Sequence, residues 1–174
     1  LPGILERRPD AQVVVVGGDD VSYGARPAPD KRWRDVMLDE VGPLPDRVHF
    51  LDRIPYGQFL PLLQVSSVHL YLTYPFVLSW SMLEAMASGA FVVGSATAPV
   101  QEVIEDGQNG WLVDFFDPYA IAARVADALA KRNDVDALRA AARETVVARY
   151  DLRSCLNAQK ALMNEAVTAF EEPR

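Results

Sequence analysis

One cysteine, Cys155, is all the thiol chemistry that the 174 residues hold. No intramolecular disulfide and no cysteine zinc cluster can form, and a reducing, cytoplasmic compartment is the simpler expectation. Cys155 itself reads as a small buried hydrophobe in a helix. No stretch approaches the roughly 18 apolar residues of a membrane span, so no transmembrane segment is expected. Peripheral contact with a membrane through another part of the protein stays open. Positive charge is also scarce: 17 Lys and Arg stand against 24 Asp and Glu, for a net charge of -7 and a pI near 4.8. Broad binding to nucleic acid or anionic lipid, which wants clustered Lys and Arg, is therefore excluded, although a small anion can still bind locally. The two histidines, His49 and His69, both fall in strand-like runs and read as structural. With no metal-ligand spacing anywhere, no metal ion is expected. A nicotinamide-dependent dehydrogenase needs G-x-G-x-x-G between the first strand and helix, and Gly17-Gly18-Asp19-Asp20 does not supply it.

What is present is ordinary globular material, 50% hydrophobic and 24% charged. A chain of this length supports one domain whose core buries about 68–70% of the unfolded surface, and residues 1–174 are read as that single domain. The opening Leu1-Pro2-Gly3-Ile4-Leu5-Glu6-Arg7-Arg8 has neither initiator Met nor signal peptide and resembles the end of a helix already under way. The chain is accordingly expected to be a fragment.

Short apolar strands are expected at Gln12 to Val16, Val48 to Leu51, Val68 to Leu72, Phe91 to Val93 and Trp111 to Val113. They are mostly unalternating, as strands buried on both faces should be. Helices are expected at Trp33 to Val41, Tyr56 to Ser66, Trp80 to Ala87, Val100 to Asp106, Pro118 to Arg132, Val135 to Ala148 and about Leu152 to Phe170. The alternation predicts an α/β fold: a doubly wound, Rossmann-like parallel sheet with helices on both faces, ending in consecutive C-terminal helices. Asp117-Pro118 marks one boundary well, an N-cap followed by proline at the first helical position. The Pro-, Gly- and Asp-rich segment Val21 to Lys31 reads as a surface loop.

The strand Val68 to Leu72 runs through Thr73-Tyr74-Pro75-Phe76 into a helix opened by Ser79-Trp80-Ser81. Ligands of open parallel sheets bind at the carboxyl edge, where a helix N-terminus offers free N–H groups and partial positive charge to a phosphate. Ser79 is an N-cap candidate, which leaves the amides of Trp80 and Ser81 to face an anion. Glu84 follows about 6 Å further down the axis, a reach that matches the step from a diphosphate to the ribose of one nucleotide. A carboxylate accepting two hydrogen bonds from a ribose diol is a known device of dinucleotide folds. Spacing alone favours the plainer reading of Glu84 as a solvated or dipole-stabilised acid early in a helix.

The strings LEAMASG, FVVGS and EVIEDGQNGWLV, at this spacing, resemble the signature of group 1 (family 4) retaining glycosyltransferases with the GT-B fold. They cover roughly the middle third of the chain. The resemblance implies that the chain is the C-terminal, nucleotide-sugar-binding domain, with a nucleoside-diphosphate sugar as donor substrate and no cofactor. In that family an E-x7-E motif sets a first Glu on the donor sugar, backbone amides on the diphosphate and a second Glu on the ribose. Carried over, Glu84 is the ribose residue, and Ser79, Trp80 and Ser81 form the diphosphate site. The first Glu falls at Phe76, which is not an acid, so any sugar contact passes to backbone or to Ser79 and Ser81.

Asp52-Arg53-Ile54-Pro55-Tyr56 resembles the family's G-R-[IV]-P turn and puts Arg53 and Ile54 near the nucleobase, with Asp52 in place of the usual Gly. Arg53 is equally readable as a surface ion-pair residue. Gly17 and Gly18 resemble the strand-end glycines of the donor loop, though a lone glycine pair is more often a turn. Ser95 to Val100 occupies the place of the SDxGG[IT]PE loop, and Glu102 aligns with its Glu. Trp33, Trp111 and Phe115-Phe116 read as packing or surface residues. The resemblance further implies an absent first strand, an absent basic pair that clamps phosphate, and an absent N-terminal acceptor-binding domain carrying the catalytic groups. A nucleotide-sugar epimerase of the same fold and a non-catalytic interaction module remain as alternatives.

Overall fold

The computed structural model describes every residue except 20, 22, 23, 29, 30, 75 and 172–174. Asp20, Pro75 and part of the segment read as a surface loop from Val21 to Lys31 therefore lie outside the described residues. The elements follow the order α1 (Pro2–Arg7), β1 (Val13–Val16), α2 (Trp33–Val41), β2 (Val48–Leu51), α3 (Tyr56–Val65), β3 (Val68–Tyr71) and α4 (Trp80–Ala87). The remainder are β4 (Phe91–Ser95), α5 (Ala98–Gln101), β5 (Trp111–Val113), α6 (Pro118–Ala130), α7 (Arg132–Tyr150) and α8 (Leu152–Glu171).

All strand pairings are parallel, and the fold has the α/β class that the alternation predicts. Among the described residues the strands form two ladders, β1–β2 and β3–β4–β5, with no ladder between β1 and β3. Burial on both faces holds for β4, whose five residues are all buried, because it has a partner on each side and helices over both faces. It fails for β1, where Val14 and Val15 are 40% and 39% exposed. Among the described residues that strand pairs with β2 alone, and no helix packs closely on it.

Successive residues of β4 serve opposite cores, as the two-residue period of a strand requires. Val92 faces Met82, Ala85 and Met86 of α4, Val100 of α5 and Ala142 and Val146 of α7. Phe91 and Val93 face Ile4 of α1, Ile121, Ala122 and Val125 of α6 and Val135 of α7. Gly94 lies on the Val92 side, and a Cβ there would stand 2.9 Å from Val100 Cγ1. The glycine is what lets α5 press onto the strand.

The helix expected over Val100 to Asp106 shortens to the single turn of α5. Beyond it, the Asn109 side chain accepts from the Glu105 amide at 2.8 Å and donates to the Val103 carbonyl at 3.0 Å and to Thr145 Oγ1 at 3.1 Å. These bonds replace the helical ladder and tie the turn to α7, the competition that short amide side chains offer to helix. At the next boundary Asp117 caps α6 as expected, accepting the amides of Tyr119 and Ala120 at 3.0 and 2.9 Å. The two closing helices α7 and α8 are consecutive, and α8 packs on α7 with most of its described surface open. Cys155, expected to be buried, is for that reason partly exposed. No helix among the described residues is long and apolar enough to cross a membrane.

Candidate functional site

The loop after β3 is fixed at both ends. Ser95, fully buried at the end of β4, accepts the Thr73 amide and donates to the Thr73 carbonyl, both at 3.1 Å. The hydroxyl continues the β3–β4 pairing by two residues where the backbone ladder has ended. At the far end the Tyr71 hydroxyl accepts the Ser79 amide at 2.7 Å. The loop is thus pinned just before α4 begins.

Ser79 is the N-cap of α4 with extended backbone at φ -88° and ψ 146°. Its Oγ accepts the Ser81 amide at a long 3.4 Å and lies 3.2 Å from Ser81 Oγ. The three residues assigned to an anion therefore differ in availability. The Ser79 amide is taken by Tyr71, the Ser81 amide is held weakly by its own cap, and the Trp80 amide has no acceptor among the described residues. The Trp80 indole is 82% exposed. The free first-turn amide and the positive end of the helix dipole point the same way.

Glu84 lies one turn along and is partly exposed. Its Oε1 accepts a hydrogen bond from the Tyr56 hydroxyl at 2.9 Å. That bond, followed by desolvation and the carboxylate charge, pushes the Tyr56 phenol above its ordinary range. Tyr56 closes the Asp52-Arg53-Ile54-Pro55-Tyr56 string, but the motif assigns it no role. Its signal was its position, next to Pro55 and two residues past Ile54, but no local rule links residues 28 apart.

At the ends of β1 and β2 the structure brings Gly18 and Arg53 together. A Cβ on Gly18 would meet Arg53 Nε at 3.0 Å, so the arginine side chain lies over the glycine. Gly17 takes φ 151°, a conformation that side chains resist. Around them, Arg34 pairs with Asp19 at 2.8 Å and with Asp52 at 3.3 Å, and Arg32 pairs with Asp19 at 3.2 Å. Arg34 of α2 and its N-cap residue Arg32 neutralise the acids at both strand ends. Ile54 is partly buried. Two clusters result, Gly18 with Arg53 and Ser79 to Glu84, and the α3 start at Tyr56 bridges them.

Phe76 stands in the loop and is half-exposed. Glu102 is exposed at the end of α5. Nearby, Tyr74 stacks on Phe115 at 5.5 Å and meets the edge of Phe116 at 4.9 Å, so that pair packs on the loop. His49 shares a 2.9 Å hydrogen bond with Gln12 on an exposed strand face. His69 is partly buried beside Tyr71, and desolvation lowers its pKa. Among the described residues no three His, Cys, Asp or Glu side chains gather as a metal site.

The chain matches the family model described as "Glycosyl transferases group 1" over residues 1–145. It is 29% identical over 155 residues to the phosphatidyl-myo-inositol mannosyltransferase of Mycobacterium tuberculosis, which covers 87% of this chain. The chain spans only 38% of the length of that relative. Among solved structures, Anabaena HepE in complex with UDP-glucose has the same fold, with a TM-score of 0.77 and 20% identity over 95% of this chain and 43% of HepE. Sucrose-phosphate synthase from Thermosynechococcus elongatus has a TM-score of 0.78 and 24% identity, over 95% of this chain and 41% of the enzyme.

Proposed function

Because the chain belongs to the group 1 glycosyltransferases, we propose that it is the donor-binding domain of a retaining enzyme that moves a sugar from a nucleoside-diphosphate sugar to an acceptor. The observation that carries the reading is Glu84, one turn below a capped helix start whose Trp80 amide has no acceptor among the described residues. In this arrangement the Trp80 and Ser81 amides and the helix dipole stabilise the leaving diphosphate, and the Glu84 carboxylate accepts the ribose diol. Arg53 and Ile54, with Gly17 and Gly18, form the nucleobase side. The solved HepE complex with UDP-glucose supports a nucleotide-sugar donor, and the mycobacterial relative makes a lipid one candidate among glycan, lipid and small-molecule acceptors.

Catalytic groups, the acceptor site and a basic phosphate clamp belong, in this proposal, to parts of the protein ahead of Leu1. A further strand there would find free edges to join, since among the described residues β1 pairs only with β2 and β3 only with β4. Residues 1–174 alone are then expected to bind nucleotide weakly and to transfer nothing.

Replacing Glu84 with Ala in the full-length protein should weaken nucleotide binding by about 1–3 kcal/mol, the cost of leaving a polar partner unpaired. Calorimetric titration with UDP, GDP and ADP measures it, and unchanged affinity would remove Glu84 from the site. A second reading, a non-catalytic binding module, is favoured by Phe76, whose side chain offers the sugar no hydrogen-bond acceptor. A full-length protein that transfers sugar from a nucleotide donor rules that reading out.

A further inference from the structure

We propose that Tyr56 is a positioning residue for the ribose: its hydroxyl holds the Glu84 carboxylate so that the remaining lone pairs face the diol. The inference rests on the donor-site reading above. An ionised carboxylate offers about four acceptor positions, and the Tyr56 hydroxyl occupies one of them on Oε1 at 2.9 Å. A glutamate on a helix surface otherwise spreads over several rotamers, and binding must meet the entropic cost of choosing one. The tyrosine makes that choice beforehand.

Tyr56 is itself held in two ways. Pro55 sets the entry to α3 at φ -57°, and its carbonyl accepts the amides of Gln58 and Phe59 at 2.8 and 3.1 Å. The Tyr56 ring lies 6.3 Å from that of Phe59, which packs against the α4 core. The ring is still 59% exposed, so core burial does not account for where the hydroxyl points. Because Tyr56 follows Arg53-Ile54-Pro55 directly, the turn assigned to the nucleobase and the acid assigned to the ribose are joined through one phenol. A shift in that turn moves the carboxylate.

The test uses the full-length protein and four forms: wild type, Tyr56→Phe, Glu84→Ala and the double variant. Each is titrated calorimetrically with UDP, GDP, ADP and their 2′-deoxy counterparts. The phenylalanine keeps the ring on Phe59 and removes only the hydroxyl. Tyr56→Phe should weaken the preferred ribonucleotide about three- to tenfold, the range of one net hydrogen bond, and its 2′-deoxy counterpart less. The double variant should bind no more weakly than Glu84→Ala, because the tyrosine acts only through the acid. Equal losses for ribo- and deoxynucleotide, or losses that multiply in the double variant, would overturn the role of Tyr56 while leaving the donor site standing. If the wild type binds none of the nucleotides, or Glu84→Ala binds them as the wild type does, the donor-site reading falls and takes the Tyr56 proposal with it.

Discussion

Ser95 and Thr73 are joined by two hydrogen bonds of 3.1 Å through a single buried hydroxyl, 22 residues apart in sequence. The serine both accepts and donates, so it stands in for a backbone partner at the point where β3 leaves its neighbour. It anchors the near end of the loop that leads to the cap of α4, whose far end Tyr71 holds.

Ser95→Ala should therefore cost about 1–3 kcal/mol, because it strands the amide and carbonyl of Thr73 away from water. Urea denaturation measures the loss, and faster amide exchange over residues 72–79 should accompany it. An unchanged midpoint would mean that water replaces the hydroxyl fully.

Gly94→Ala should destabilise the domain by about 1–3 kcal/mol, the range for overpacking a filled core. The added methyl would stand 2.9 Å from Val100 and 3.5 Å from Ile104. Gly94→Ala combined with Val100→Ala should recover part of the loss, which chemical denaturation of both variants can decide. No recovery would place the strain elsewhere.

His69 should make the protein acid-sensitive. Burial lowers its pKa, so the folded form keeps the ring neutral while the unfolded chain takes up a proton near the ordinary value of 6.5. The unfolded state then binds more protons, so stability is complete above that pH and falls as pH drops through it towards the folded value. The slope from this group is at most about 1.4 kcal/mol per pH unit. Unfolding free energies of wild type and His69→Gln between pH 7 and 5 should converge on acidification, and parallel curves would clear His69 of the effect.

The strand and helix order was legible in the sequence because each element depends on its neighbours in the chain. β-branched runs such as Val13–Val16 make strands. Ser79 and Asp117 begin helices because a side-chain oxygen two or three residues back can accept a first-turn amide. The reading failed where a distant group outbid a local one. Asn109, hydrogen-bonded to Thr145, ends the helix expected to run to Asp106. The exposure of β1 and Cys155 followed from which elements lie against them, which periodicity does not report.

The candidate site divides in the same way. Ser79, Trp80, Ser81 and Glu84 share one short helix, so their spacing along the axis was determined by the sequence alone. Which amide stays open, and what Glu84 touches, only the tertiary structure decided. Tyr71 reaches the Ser79 amide from the preceding strand, and Tyr56 reaches Glu84 from the start of α3. Both contacts exist because α3 and α4 pack over the same face of β3 and β4, and packing, unlike a cap, brings together residues that are far apart in the chain.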